Sequence, residues 1–178
     1  MQQNRVKMKL VDTHTHIFAQ EFDEDRALVV ERAINAGVEY LILPNIDVQT
    51  IDSLLVLCDE YPTLCKPALG LHPTSVEDDF EHTLSIIKEV IKANKNCVAI
   101  GEIGIDLYWD KTRLKQQQAA FKVQLQWALD MNLPVIIHQR DSFDEILFTL
   151  NEFGSVLPKG IFHCFGGTCN QLRKFSVH

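Results

Sequence analysis

The chain has 178 residues, of which 46% are hydrophobic and 23% charged, an ordinary globular composition with enough material for one sizeable core. Its 24 acidic residues outnumber 17 basic ones, the net charge is -7 and the basic residues are scattered, which excludes a surface that grips a nucleic-acid backbone non-specifically through lysine and arginine. Five cysteines (Cys58, Cys65, Cys97, Cys164, Cys169) without a C-x-x-C pair exclude a disulfide framework and a thiolate zinc site.

The opening Met-Gln-Gln-Asn-Arg-Val-Lys lacks the apolar core of a signal peptide, and no later apolar run approaches transmembrane length. A cytoplasmic protein with reduced thiols and no membrane partner is expected, with one domain over residues 9–178 behind an extension over 1–8, Met8 being an equally good start. Leu10-Val11-Asp12-Thr13-His14-Thr15-His16 reads as a buried strand that turns polar at its exit. Alternation along the strand points Asp12, His14 and His16 to one side. Two imidazoles a pleat apart can hold one metal ion, with Asp12 as a partner steadying an imidazole from behind.

Ala27, Val30, Ile34 and the stop at Gly37 predict a helix of roughly four turns. A short apolar run over residues 40–43 follows, and then Ile51, Leu54, Leu55 and Cys58 form a helical stripe ended by Pro62. The third strand is expected over 68–71 with His72-Pro73 at its exit, before a helix carrying Leu84, Ile87 and Ile91. The fourth, Cys97-Val98-Ala99-Ile100-Gly101, delivers Glu102. A long helix over about 112–131 buries Leu114, Phe121, Leu125 and Ala128. The fifth strand delivers His138, and Ser142-x-x-Glu145 reads as a capping box for a helix with the stripe Phe143, Ile146, Leu147, Leu150. The sixth delivers His163, and a last helix runs from Thr168 to the chain end.

Strand and helix thus alternate six times, and the short continuous apolar strands are those of a parallel sheet covered on both faces. An open doubly wound sheet and a (β/α)8 barrel both fit; a barrel typically needs eight units and about 250 residues, so this chain would be an incomplete one of about six units. In either fold the carboxyl ends of the strands converge. His14, His16, Glu102, His138 and His163 are expected to meet there. Five ligands suit two ions roughly 3.5–4 Å apart with Glu102 bridging them, an arrangement that lowers the pKa of a bound water to about 7. Such a positive site suits a phosphate ester.

The motifs Asp12-Thr-His14-Thr-His16, Gly70-Leu-His72-Pro73, Ala99-Ile-Gly-Glu102-Ile-Gly-Ile-Asp106, Leu133-Pro-Val-Ile-Ile-His138-Gln-Arg140 and Phe162-His163-Cys164-Phe165-Gly-Gly-Thr168 resemble, in order and spacing, the signatures of the TatD-type metal-dependent deoxyribonucleases, amidohydrolase-like TIM barrels. The resemblance implies a divalent-metal hydrolase cutting phosphodiester bonds in DNA, with His14 and His16 on one ion, His138 and His163 on the other, and Glu102 on both. The metal is open among Mg, Mn, Zn and Ni. His72 and Arg140 resemble positions that contact substrate phosphate. The family's late metal-binding aspartate has no match before His178, so the resemblance is to a C-terminally truncated member. Weak activity is expected, with self-association through open barrel edges. A metal-binding remnant without turnover, and a hydrolase of other small esters or amides, are the alternatives.

Of the remaining residues, Asp106 and Asp141 read as loop caps and Cys164 as a buried thiol on the opposite face from His163. Tyr108 and Trp109 either stack on a base above the pocket or pack down on the rim. His82, inside a helix, and His178 read as solvated.

Overall fold

The computed structural model describes residues 9–175; the extension over 1–8, with Met8, and His178 lie outside the described residues. Six strands, β1 (Leu10–Asp12), β2 (Val38–Pro44), β3 (Cys65–Leu69), β4 (Ala99–Asp106), β5 (Val135–Arg140) and β6 (Gly160–His163), alternate with helices α1 (Arg26–Ala36), α2 (Ile51–Glu60), α3 (Phe80–Ala93), α4 (Leu114–Met131), α5 (Phe143–Asn151) and α6 (Cys169–Phe175). The strands form one sheet in the order β1-β2-β3-β4-β5-β6, and every neighbouring pair is parallel. A doubly wound sheet reverses its strand order at a switch point. This sheet never reverses, so of the two candidate architectures it is the barrel type, curled into an incomplete barrel.

Alternation divides the sheet into two faces. Leu41, Leu43, Leu69, Ile103, Ile105, Val135 and Ile137 pack with helix residues such as Leu54, Ile87, Phe121, Leu125 and Ile146 in the main core. Ala68, Ala99 and Ile136, with Ile42, make a second and much smaller cluster. Ile136, lying between Val135 and Ile137, turns to the opposite, concave face. Helices α2 and α3 bury the stripes that spacing predicts, Ile51, Leu54 and Cys58 with half-buried Leu55 on α2, joined by Leu57, and Leu84, Ile87 and Ile91 on α3, whereas α1 buries Val30 alone and leaves Ile34 46% exposed.

Several expectations are corrected. The first strand is exposed along its length, because among the described residues β1 pairs with β2 alone. Val11 is 51% exposed and Ile161, on the opposite edge strand, 47%. Helix α1 has 11 residues, about three turns. The third strand ends at Leu69, leaving Gly70 and Leu71 in the turn before His72. The fourth runs on to Asp106, so Glu102 lies inside β4 and not at its end; the pairing with β5 slips between Ile100 and Ile103. The capping box does not form: the Ser142 hydroxyl donates to the Ile105 carbonyl at 2.6 Å and makes no cap bond to α5. No helix among the described residues is long and apolar enough to cross a membrane.

Candidate metal centre

Glu102 is the hub. The residue is 2% exposed, and imidazoles approach both carboxylate oxygens. Oε2 is 3.0 Å from His14 Nε2 and 3.7 Å from His16 Nε2, and those two nitrogens are 3.1 Å apart. Oε1 is 2.9 Å from His138 Nδ1 and 3.9 Å from His72 Nε2, with 3.2 Å between the two rings' nitrogens. Two ligand triplets therefore share one carboxylate: His14, His16 and Glu102, and His72, Glu102 and His138.

The backbone explains how residues distant in sequence meet. His14 and His16 lie just past β1, where the Thr15 N–H donates to the Ile42 carbonyl at 3.1 Å. Glu102 and Asp106, four residues apart on β4, share a face and flank the same imidazole. His138 stands opposite Gly104 in the β4–β5 register and beside His163 in the β5–β6 register. A Cβ on Gly104 would run into the His138 carbonyl, so only glycine allows the two strands to close at the centre of the site.

Three of the rings are oriented from behind. His16 Nδ1 lies 3.0 Å from the Pro44 carbonyl, which fixes its proton there and leaves Nε2 for the site. His72 Nδ1 is engaged by Thr74, 2.6 Å from its Oγ1. His138 Nε2 meets Asp106 Oδ2 at 2.9 Å, leaving Nδ1 facing Glu102. This carboxylate–imidazole pairing is how ligating histidines are commonly held. His14 Nδ1 is buried without a partner; its ring is covered by His163, stacked at 3.4 Å between centroids.

Charge follows geometry. Burial works to raise the Glu102 carboxyl, but hydrogen bonds from His138 and His14 and the charges of His72 and His14 outweigh it and hold it below the usual range. Burial pushes His72 down to about 4 from an ordinary 6.5, against the pull of Glu102. It also lowers His16 and His163. His138 is the exception: burial would lower it, yet the bonds to Glu102 and Asp106 raise it. The His138 ring thus stands between two carboxylates, 2.9 Å from each. A divalent cation fits this donor set, because it can replace the Nδ1 proton of His138 and satisfy the converging lone pairs of His14 and His16.

These shifts predict a pH dependence. Groups depressed on folding, His72 and Glu102, take up protons more readily unfolded than folded, so their stabilisation is complete above the unfolded pKa and is lost as pH falls through the folded one. For His72 the window is 6.5 down to about 4. His138 has the opposite sign, its share being present at low pH and lost as pH rises through its raised pKa. The metal-free chain should lose on the order of 2–3 kcal/mol through His72 between pH 6.5 and 4. Chemical denaturation across that window, with His72→Gln as reference, measures it; equal slopes for the two proteins would contradict the assignment.

The expected residues are brought together unequally. His14, His16, Glu102 and His138 converge as read. His163 stacks on His14 and belongs to neither triplet; beside Glu102 and His138 the third member is His72. Asp12 is exposed and accepts a bond from the backbone N–H of His14 at 3.1 Å, so it steadies the strand end and not an imidazole. Arg140 lies over the Tyr108 ring at 3.7 Å. Both it and Asp141 line the cleft of about 880 Å³ that opens above Glu102. Cys164 is exposed, contrary to expectation, because the strand ends at His163 and Cys164 turns into the left-handed region at φ 47. His82 is exposed, as read.

Gln117 and Gln124 escaped the sequence reading, which gave Asp106 only as a loop cap. Asp106, 1% exposed, is a cap and more: Oδ1 accepts the backbone N–H groups of Tyr108 and Trp109 while Oδ2 holds His138. Gln117 bonds both the N–H and the carbonyl of Asp106, and Gln124 does the same for Leu71, next to His72. Their seven-residue spacing on the buried face of α4 was the available signal. Asp106→Asn keeps the cap but removes the charge behind His138, so divalent-metal affinity by calorimetry should fall about 10–100-fold. Unchanged affinity would reduce Asp106 to a loop cap.

A cluster of histidines around a buried carboxylate on a parallel, sequentially ordered sheet is a candidate metal centre in an incomplete α/β barrel. Residues 11–177 match the profile described as TatD related DNase, and the chain belongs to that family. It is 38% identical over 165 residues to the uncharacterized metal-dependent hydrolase YabD of Bacillus subtilis, covering 93% of this chain and 64% of YabD. It is 33% identical over 160 residues to the 3'-5' ssDNA/RNA exonuclease TatD of a Rahnella species, covering 90% and 60%. The crystal structure of YJJV, a TatD homolog from Escherichia coli, superposes with a TM-score of 0.85 at 32% identity, over 94% of this chain and 64% of that one. An uncharacterized amidohydrolase from Saccharomyces cerevisiae, at 16% identity and a TM-score of 0.79 over 94% and 64%, shares the fold. The chain spans about three fifths of the length of these relatives.

Proposed function

We propose that this chain carries the two-cation centre of a hydrolase that cleaves phosphodiester bonds in single-stranded nucleic acid, DNA above all. The observation that carries the reading is the sharing of Glu102 between two ligand triplets. His14, His16 and Oε2 would hold one divalent cation; His72, His138 and Oε1 would hold the second. His163 stays in the ligand set through its place beside His138. Bound there, such cations neutralise phosphate oxygens and lower the pKa of a coordinated water to about 7. The remaining work falls to the chain: Asp106 and Pro44 keep the rings in the ligating tautomer, and Arg140 at the rim offers guanidinium edges to a phosphate.

Charge supports the need for cations. Besides Arg140, the cleft wall carries Glu102, Asp141, Asp144 and Glu145, so a polyanion would be repelled by the protein alone. The name of the Rahnella relative, an ssDNA/RNA exonuclease, favours the same substrate. The test is hydrolysis of a single-stranded oligonucleotide with Mg, Mn, Zn and Ni in turn. Cation-dependent release of nucleotides, reduced by His138→Ala, supports the reading. Two bound ions without cleavage under any of them would favour a metal-binding remnant.

Self-association belongs to this proposal. Among the described residues β1 and β6 each have a neighbour on one side only, and an uncovered strand edge is a template for pairing. Light scattering of the 178-residue chain should give a mass that rises with concentration. A compact monomer with a sharp thermal transition would contradict it.

A further inference from the structure

A second cavity, of about 170 Å³, lies beside the cleft and is bounded by Pro73, Thr74, Glu77, Trp109, Asp110 and Arg113. Two of its walls are bonded to histidines of the metal centre: Thr74 Oγ1 is 2.6 Å from His72 Nδ1, and Asp106, also in the wall, is 2.9 Å from His138 Nε2. The cavity is therefore one side chain removed from Glu102. Asp106 fixes the loop as well, by accepting the N–H groups of Tyr108 and Trp109 at 2.9 and 3.2 Å.

Trp109 is 69% exposed, an unusual state for so large an apolar ring on a loop this firmly held. Tyr108 is occupied, since Arg140 lies over it at 3.7 Å and the two aromatic rings meet edge to face at 4.9 Å. Arg140 reaches the indole only at 5.4 Å, and with 69% of Trp109 exposed most of that ring remains open to a ligand. The charges around it decide what it can take. Arg113 is paired with Glu77 at 2.5 Å and lies 3.7 Å from Asp110, so its charge is already balanced while Asp106 adds a further acid. An anion is disfavoured. A flat, uncharged, hydrogen-bonding ring is suited, stacking on the indole with Thr74 and the wall carboxylates at its edge.

We infer that Trp109 and the cavity beside it form a nucleobase-stacking subsite, which holds the base of a nucleotide whose phosphate lies in the adjoining cleft between Arg140 and the metal centre. This rests on the phosphodiesterase reading above. It also makes an unpaired base a requirement, because a base stacked within a duplex has no free face to offer. Asp106 ties the platform to His138, so the position of the base is set relative to the reacting phosphate.

The chain has two tryptophans, and Trp127 is 3% exposed, so Trp127→Phe leaves Trp109 as the reporter. Its fluorescence is titrated with a short single-stranded thymidine oligonucleotide in calcium, beside the same strand with an abasic end residue. Quenching by the intact strand, absent with the abasic one, is expected. In the wild-type background Trp109→Ala should weaken binding of the intact strand about 5- to 150-fold and leave the abasic strand unaffected, while Trp109→Phe restores most of the affinity. Equal binding of intact and abasic strands, or no effect of Trp109→Ala, overturns the subsite and leaves the phosphodiesterase reading standing. Failure of both strands to bind overturns both.

Discussion

Replacing Glu102 by Gln should lower phosphodiester hydrolysis on the order of 10³-fold or more. The substitution keeps shape and volume but removes the one negative charge common to both ligand triplets. Four imidazoles would then face a neutral amide, and a second cation close to the first would have no shared anion between them. A metal ion supplies several kcal/mol of charge stabilisation in such transition states, and each 1.36 kcal/mol is tenfold in rate. The fold should tolerate the change, since Glu102 is also surrounded by donors that a carboxamide oxygen can accept. Kinetics with saturating metal, beside circular dichroism, checks this. Activity within tenfold of wild type would mean that the carboxylate is not a ligand.

Gly104→Ala is expected to do the greatest structural damage of any single methyl in the chain. Gly104 adopts φ 141, and an added Cβ would meet backbone atoms of His138, the carbonyl oxygen first. Neither partner can yield, because β4 and β5 pair from Ile103 to Asp106 through this point. A loss of about 3–5 kcal/mol is anticipated from strain and broken pairing, a large share of the 5–15 kcal/mol a domain of this kind possesses. Gly166→Ala, whose Cβ meets nothing within 4 Å, should stay within about 0.5 kcal/mol. Urea denaturation of the two variants makes the comparison; equal stabilities would mean that β4 and β5 do not close as described.

Much of this architecture is legible in the residues. Apolar spacing locates five of the six helices, and the H-x-H pair with later histidines at strand exits identifies the cluster. What misleads is the glycine-rich run Ala99-Ile-Gly-Glu-Ile-Gly-Ile-Asp106. Glycine reads as punctuation, so the fourth strand is expected to stop at Gly101. In the fold these glycines permit close approach: a Cβ on Gly101 would press on Ile136 as one on Gly104 would on His138. The strand therefore runs through them, carrying Asp106 to the same imidazole as Glu102. Cys164 differs, because β6 ends at His163 and alternation no longer governs a residue in the left-handed region. Ser142 has the capping pattern in sequence, but the Ile105 carbonyl, brought close by β4, takes its hydroxyl. For the glycine run and for Ser142 a tertiary neighbour that no local pattern encodes decides the outcome.

The central claim is that Glu102 joins two cation sites. Anomalous diffraction from crystals of the chain grown with manganese tests it most directly. The account predicts two peaks roughly 3.5–4 Å apart, one beside His14 and His16, the other beside His72 and His138, with the Glu102 carboxylate between them. A single peak, or two peaks that do not flank Glu102, would contradict it.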